Sequence, residues 1–193
     1  MSVMDERTPA APEEIVAATR QWLERAVIGL DLCPFAKAVH VRDQIRYAVS
    51  SAVTPEDLLA EFFDELQALV AADPGEIETT LLIHPGVLTD FLDYNDFLDV
   101  ADAAVAELGL EGVIQIASFH PRYRFAGTKL DAIENYTNRS PYPTLHLLRE
   151  ASVERAVAAF PDAAQIFEKN IETLRRLGLE GWRRLGISPW KDG

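Results

Sequence analysis

GVIQIASFHPRYRFAGTKLDAIENYTNRSPYPTLHLLR occupies residues 112–149, and its two ends decide how the chain folds. GVIQIASF (112–119) and TLHLLR (144–149) are short, rich in branched residues and bounded by turn formers, which predicts a strand at each end. Between them, His120 to Pro143 gives 24 residues without a clear helical or alternating pattern. Loops of that length are uncommon in compact domains and are often functional.

Working outward, Thr80-Leu81-Leu82-Ile83 is continuously apolar and followed by His84-Pro85-Gly86, as in a strand buried on both faces. Ile45 to Ser50 alternates, with Ile45, Tyr47 and Val49 on one face. Helices are expected over Pro12–Leu30, from Pro34 with Cys33 as N-cap, and from Thr54-Pro55-Glu56-Asp57. Further helices should cover Thr89–Leu108, Ser152–Phe160, and Ala163 to Leu185. Strands separated by single helices favour parallel crossovers. The expectation is therefore one α/β domain over residues 12–193 after a flexible segment 1–11, in three layers. Its mixed four-stranded sheet would have three parallel strands and one antiparallel.

The 193 residues, 48% of them hydrophobic, can fill one sizeable core. No stretch matches a membrane span and the acidic start lacks a signal core, so a cytoplasmic location is expected. Cys33 is the only cysteine, which excludes an internal disulfide. A net charge of −13 argues against nucleic acid and anionic membranes as partners. The charge is uneven: residues 119–150 carry five basic and three acidic groups, a balance of +2 that leaves −15 for the rest. A small anion is the expected partner.

In an open sheet, ligands bind beyond the carboxyl ends of parallel strands. His84 and His120 follow two of the expected strands, and a helix starting at Pro34 would bring Cys33 to the same edge. A thiol at a helix N-terminus is stabilised as thiolate, so Cys33, His120 and His84 are candidate catalytic residues. The alternatives are an apolar plug around an inert thiol and histidines that merely terminate strands. Arg122, Tyr123, Asn135, Tyr136, Asn138, Arg139, Ser140, Tyr142, His146 and Arg149 are candidate ligand-binding residues, since amides, hydroxyls and guanidiniums hold small anions. Against this, the loop groups could bond only to their own backbone. Asp90, Asp93, Asp96, Asp99 and Asp102 read as a solvated acidic face. No metal-ligand spacing and no Gly-rich cofactor fingerprint is found, so no metal is assigned and the cofactor stays unknown.

LCPFAK (32–37), FHP (119–121) with Tyr123 and Phe125-Ala126-Gly127, NYTNRSPYP (135–143) and LHLLRE (145–150) together form a pattern. From about Trp22 to Trp190 the chain resembles the DUF1415 family of uncharacterised bacterial proteins, a domain of unknown function. The resemblance implies a bacterial, cytosolic protein and transfers no catalytic residue. Two functions follow from the residues: a small-molecule enzyme for acyl or group transfer or hydrolysis, with a Cys/His/Arg pocket for an anionic ligand, or a non-catalytic metabolite-binding or regulatory module using the same positive pocket.

Overall fold

The computed structural model describes residues 10–159 and 165–187. Of the expected flexible segment, residues 1–9 lie outside the described residues, as do Phe160 and Ala163, where two helix boundaries were expected.

Helix α1 (Pro12–Trp22) starts with proline in its first turn, and Glu14 Oε2 accepts from the Ala11 N–H at 3.2 Å. It does not run on as one α-helix to Leu30. Leu23–Ile28 forms a π-helical turn that buries Leu23, Ala26 and Val27, and Asp31, at φ 55°, breaks the helical path. Helix α2 is Ala36–Val41, with Phe35 rather than Cys33 at the N-cap position; residues 33–35 form a turn closed by Ala36 N–H to Cys33 O at 3.3 Å. Strand β1 (Ile45–Val49) leads to α3 (Pro55–Ala71), where Thr54 Oγ1 accepts from the Asp57 N–H at 3.2 Å and donates to Asp57 Oδ2 at 2.8 Å. Strand β2 (Thr79–Ile83), α4 (Phe91–Glu107), β3 (Ile114–Phe119), a 3₁₀ helix (Ile133–Asn138), β4 (Thr144–Arg149), α5 (Glu150–Ala158) and α6 (Ile166–Arg184) follow.

All four strands fall where the sequence places them, in a single mixed sheet of order β1-β2-β4-β3. The pairing differs from expectation. Only β1 and β2 are parallel neighbours; β4 is inserted between β2 and β3 and runs antiparallel to both. The sheet is thus mostly antiparallel, because the last strand enters the middle instead of adding to an edge. The reversals on either side of β4 still leave β2 and β3 pointing the same way.

Alternate residues of the strands enter different cores. Leu82, Leu145, Leu147 and Ile114 pack with Leu58, Phe62 and Leu66 of α3 and Tyr94, Phe97 and Ala101 of α4. Leu81 and Ile83 face Ile15 of α1, while Leu148 meets Phe35 and Val39. On that second side Trp22, Leu174 and Trp182 join α1 to α6.

Two polar side chains fix this arrangement. Arg149 Nη2 shares its two protons among the carbonyls of Leu69 at 2.6 Å, Ala72 at 2.9 Å and Ile77 at 3.1 Å, tying the end of β4 to the end of α3 and to the segment leading into β2. The buried Tyr94 hydroxyl donates to Thr144 O at 2.8 Å and accepts from the Phe119 N–H at 3.1 Å, joining α4 to β4 and β3. Tyr94→Phe should therefore cost about 1–3 kcal/mol, the usual consequence of leaving buried backbone groups unsatisfied. Urea unfolding at pH 7 measures it; an unchanged midpoint would show that the hydroxyl bridges nothing of consequence.

Candidate functional site

Because β2 and β3 point the same way, His84 and His120 emerge at one edge, both on the α4 side of the sheet. The Tyr94 ring stands between them, its centroid 5.7 Å from that of His84 and 5.1 Å from that of His120. His120 Nδ1 accepts from the Arg122 N–H at 3.0 Å, so Nε2 carries the proton and donates to Leu88 O at 3.2 Å. Both its nitrogens are used for structure. His84 Nδ1 donates to Val87 O at 3.0 Å, and its buried Nε2 has no partner among the described residues. Burial lowers both imidazoles to about 4, and the Arg122 charge adds to the effect at His120.

Cys33 lies on the opposite face. It packs against the groups formed by Trp22, Leu23 and Trp182 and by Phe35, Val39 and Leu148, while His120 packs against Phe91 and Tyr94. The sheet separates the two, so the expected thiol–imidazole pair does not form. The expected depression of the thiol pKa is also reversed: desolvation pushes Cys33 above its ordinary 9.0, outweighing hydrogen bonds from the Phe35 and Ala36 backbone. The six-residue α2 starts too late for Cys33 to cap it.

Most of the loop's polar groups hold the loop itself. Asn135, fully buried, accepts at Oδ1 from Phe125 N–H at 3.0 Å and Thr128 Oγ1 at 2.7 Å, and donates from Nδ2 to Lys129 O at 2.8 Å. Asn138 Nδ2 donates to Ser118 O at 3.0 Å, and Ser140 Oγ to Tyr142 O at 2.6 Å. The Tyr123 ring sits 5.1 Å from both Phe91 and Phe125. Tyr142 packs beside Ile15, Leu81 and Ile83 on the far face. His146 is on that face too: Thr79 Oγ1 donates to Leu147 O at 2.6 Å and so receives the His146 Nε2 proton at 2.8 Å. Arg149 is at the other end of the sheet, paired in register with Ile114 at the start of β3.

Three of the candidates do meet. Arg122, Tyr136 and Arg139 line a cleft of about 600 Å³ beside the first turn of α4 and the end of α6, together with Asp90, Phe91, Leu92, Pro121, Arg124, Leu130, Asp131, Leu179 and Arg183. Four guanidiniums against two carboxylates give this lining a net +2. Arg139 is 7% exposed; Nε donates to Tyr123 O at 3.2 Å, Nη2 to Leu130 O at 2.7 Å, and its Cζ lies 4.3 Å from the Tyr136 ring centroid. Exposed Arg122 and Arg124 have no carboxylate partner among the described residues. Asp90 caps α4, its Oδ1 accepting from the Leu92 N–H at 2.8 Å. The rest of the acidic series on α4 is exposed, as expected.

Sequence reasoning passed over the other nine lining residues, Asp90, Phe91, Leu92, Pro121, Arg124, Leu130, Asp131, Leu179 and Arg183, as site residues. For Leu179 and Arg183 the available signal was Gly178, a poor helix former in an otherwise helical stretch shortly before them. Among the described residues, no group of three His, Cys, Asp or Glu stands close enough to hold a metal ion.

Two outcomes follow from these environments. Cys33 should react with iodoacetamide more slowly at pH 8 than a free cysteine does, with its rate midpoint above 9; a midpoint below 8 would contradict its burial. Buried neutral histidines bind protons more readily once unfolded, so stability should fall as pH drops from about 6.5 to about 4 and be fully retained above 6.5. Urea titrations of wild type and His84→Gln across that window should diverge, the variant losing less; parallel curves would show that His84 titrates normally.

No curated protein and no solved structure matches the chain. A family model described as a protein of unknown function, DUF1415, spans residues 14–184, which include every residue lining the cleft. With that much of the chain matched, the protein belongs to the DUF1415 family.

Proposed function

We propose that this protein is a non-catalytic binding or regulatory module whose cleft at the carboxyl edge of the sheet takes a small anion. The observation that carries this reading is the exposure of Arg122 and Arg124 on the cleft with no carboxylate partner among the described residues, beside the pre-positioned Arg139. In a chain of net charge −13, a concave surface whose lining carries a net +2 stands against the overall charge. It draws in small anions, while the surrounding charge repels polyanions such as nucleic acid.

Arg139 supplies positive charge from a desolvated position without swinging into place, since two backbone carbonyls and the Tyr136 ring already hold it. Arg122 and Arg124 supply mobile forks that close on carboxylate or phosphate oxygens. The enzyme reading loses its geometric support, because Cys33 and His120 face different cores and both His120 nitrogens are bonded to backbone. A single cysteine fits a reducing bacterial cytoplasm, the setting in which we place this activity.

The test is thermal denaturation and calorimetric titration with acetate, succinate and inorganic phosphate. At least one should bind and raise Tm, and Arg122→Gln with Arg124→Gln should weaken it by tenfold or more, in keeping with loss of charge-assisted bonds. Cys33→Ser should bind as wild type. Equal responses from wild type and the double arginine variant would refute the proposal, and loss of binding in Cys33→Ser would restore the catalytic reading.

A further inference from the structure

Leu92, Leu130 and Leu179 are 63%, 56% and 38% exposed, and they are all the exposed leucines among the described residues. Single exposed apolar side chains are ordinary on protein surfaces. These three are not scattered: they come from the first turn of α4, the long loop and the end of α6, and each lines the same cleft. Phe91 adds a fourth apolar wall.

The backbone of α6 accounts for one of them. At Gly178 the helix is interrupted by φ 67° and ψ 173°, a conformation essentially confined to glycine. The chain changes direction there, immediately before Leu179. Leu179 and Arg183, four residues apart and hence on one helical face, then both reach the cleft. The segment after the break thus presents one aliphatic and one cationic side chain to the same space.

Resting on the anion-binding reading above, we infer that the ligand is an amphipathic organic anion, with its charged head on the guanidiniums of Arg122, Arg124 and Arg139 and an aliphatic body against Leu92, Leu130 and Leu179. A cleft of about 600 Å³ is in the range of organic-ligand sites and oversized for a lone inorganic ion. The charge complementarity selects a monoacyl carboxylate or phosphate rather than a neutral lipid, since a neutral occupant would leave the arginines without a counter-charge. Leucine side chains offer no hydrogen bonds to a sugar or a hydrophilic metabolite.

The experiment is calorimetric titration of the full chain with acetate, butyrate, hexanoate and octanoate, all kept below micelle-forming concentrations. Affinity should climb by roughly two- to fourfold per added methylene, the upper figure corresponding to complete burial. Leu130→Ser with Leu179→Ser, which leave the three guanidiniums of the head site in place, should flatten the gain per methylene, with urea unfolding checking that the variant keeps its fold. Arg122→Gln with Arg124→Gln should lower every member in parallel. A flat series that still depends on the arginines would overturn the aliphatic inference and leave the anion site standing. A rising series indifferent to the arginines would overturn both, whereas no binding of any member would overturn the aliphatic inference and leave the anion reading to be decided by succinate and inorganic phosphate.

Discussion

The insertion of β4 between β2 and β3 is the constraint on which the rest of the molecule depends. It obliges the chain to leave the carboxyl end of β3 and re-enter the sheet at that same edge, one strand away. Everything from His120 to Pro143 is thereby tethered at both ends above the edge. The tether is hydrogen-bonded at its roots: His120 N–H donates to Asn138 O at 3.1 Å, and His84 N–H to Pro143 O at 3.0 Å. Tyr94 locks the two crossing points by bonding at once to Phe119 and Thr144. A loop of this length placed at a free edge would lack these restraints and lose more conformational entropy on ordering.

Once the loop is tethered, its buried amides determine what it can show to a ligand. Asn135 draws Phe125, Thr128 and Lys129 around one side chain, and Asn138 ties the 3₁₀ helix to Ser118. With most of its amides and hydroxyls consumed internally, the loop turns Arg122, Arg124, Lys129, Leu130 and Asp131 outward. The division of labour is chemical. Asn and Ser can satisfy both donors and acceptors of a folded-back backbone, whereas arginine only donates and its long stem carries the charge to solvent.

The strand positions were legible because each strand is a short branched run bounded by turn formers, and β2 reads as buried on both faces because it is central. The N-cap at Thr54 was equally plain. The place of β4 was not, since the sequence of TLHLLR gives its burial and not its neighbours. The start of α2 was misread for a local reason: Pro34 suits the first turn of a helix, but it also suits the turn that precedes one. That error carried Cys33 to the wrong face and the wrong electrostatic setting. In the loop, the positive balance pointed to Arg122 and Arg139, while the role of Asn135 and Ser140 turned on hydrogen-bond partners that no spacing rule discloses. Leu179 and Arg183 escaped notice because helical periodicity runs through the Gly178 break as if it were absent.

The central claim is that one cleft holds a charged head on Arg122, Arg124 and Arg139 and an aliphatic body on Leu92, Leu130 and Leu179. Side-chain NMR read at arginine Nε–Hε and leucine methyl resonances during addition of octanoate tests it directly. The account predicts saturable shifts at those six residues, with Cys33, His146 and Arg149 unmoved. Shifts centred on Cys33 or His146, or none at the six as octanoate is added, would contradict it.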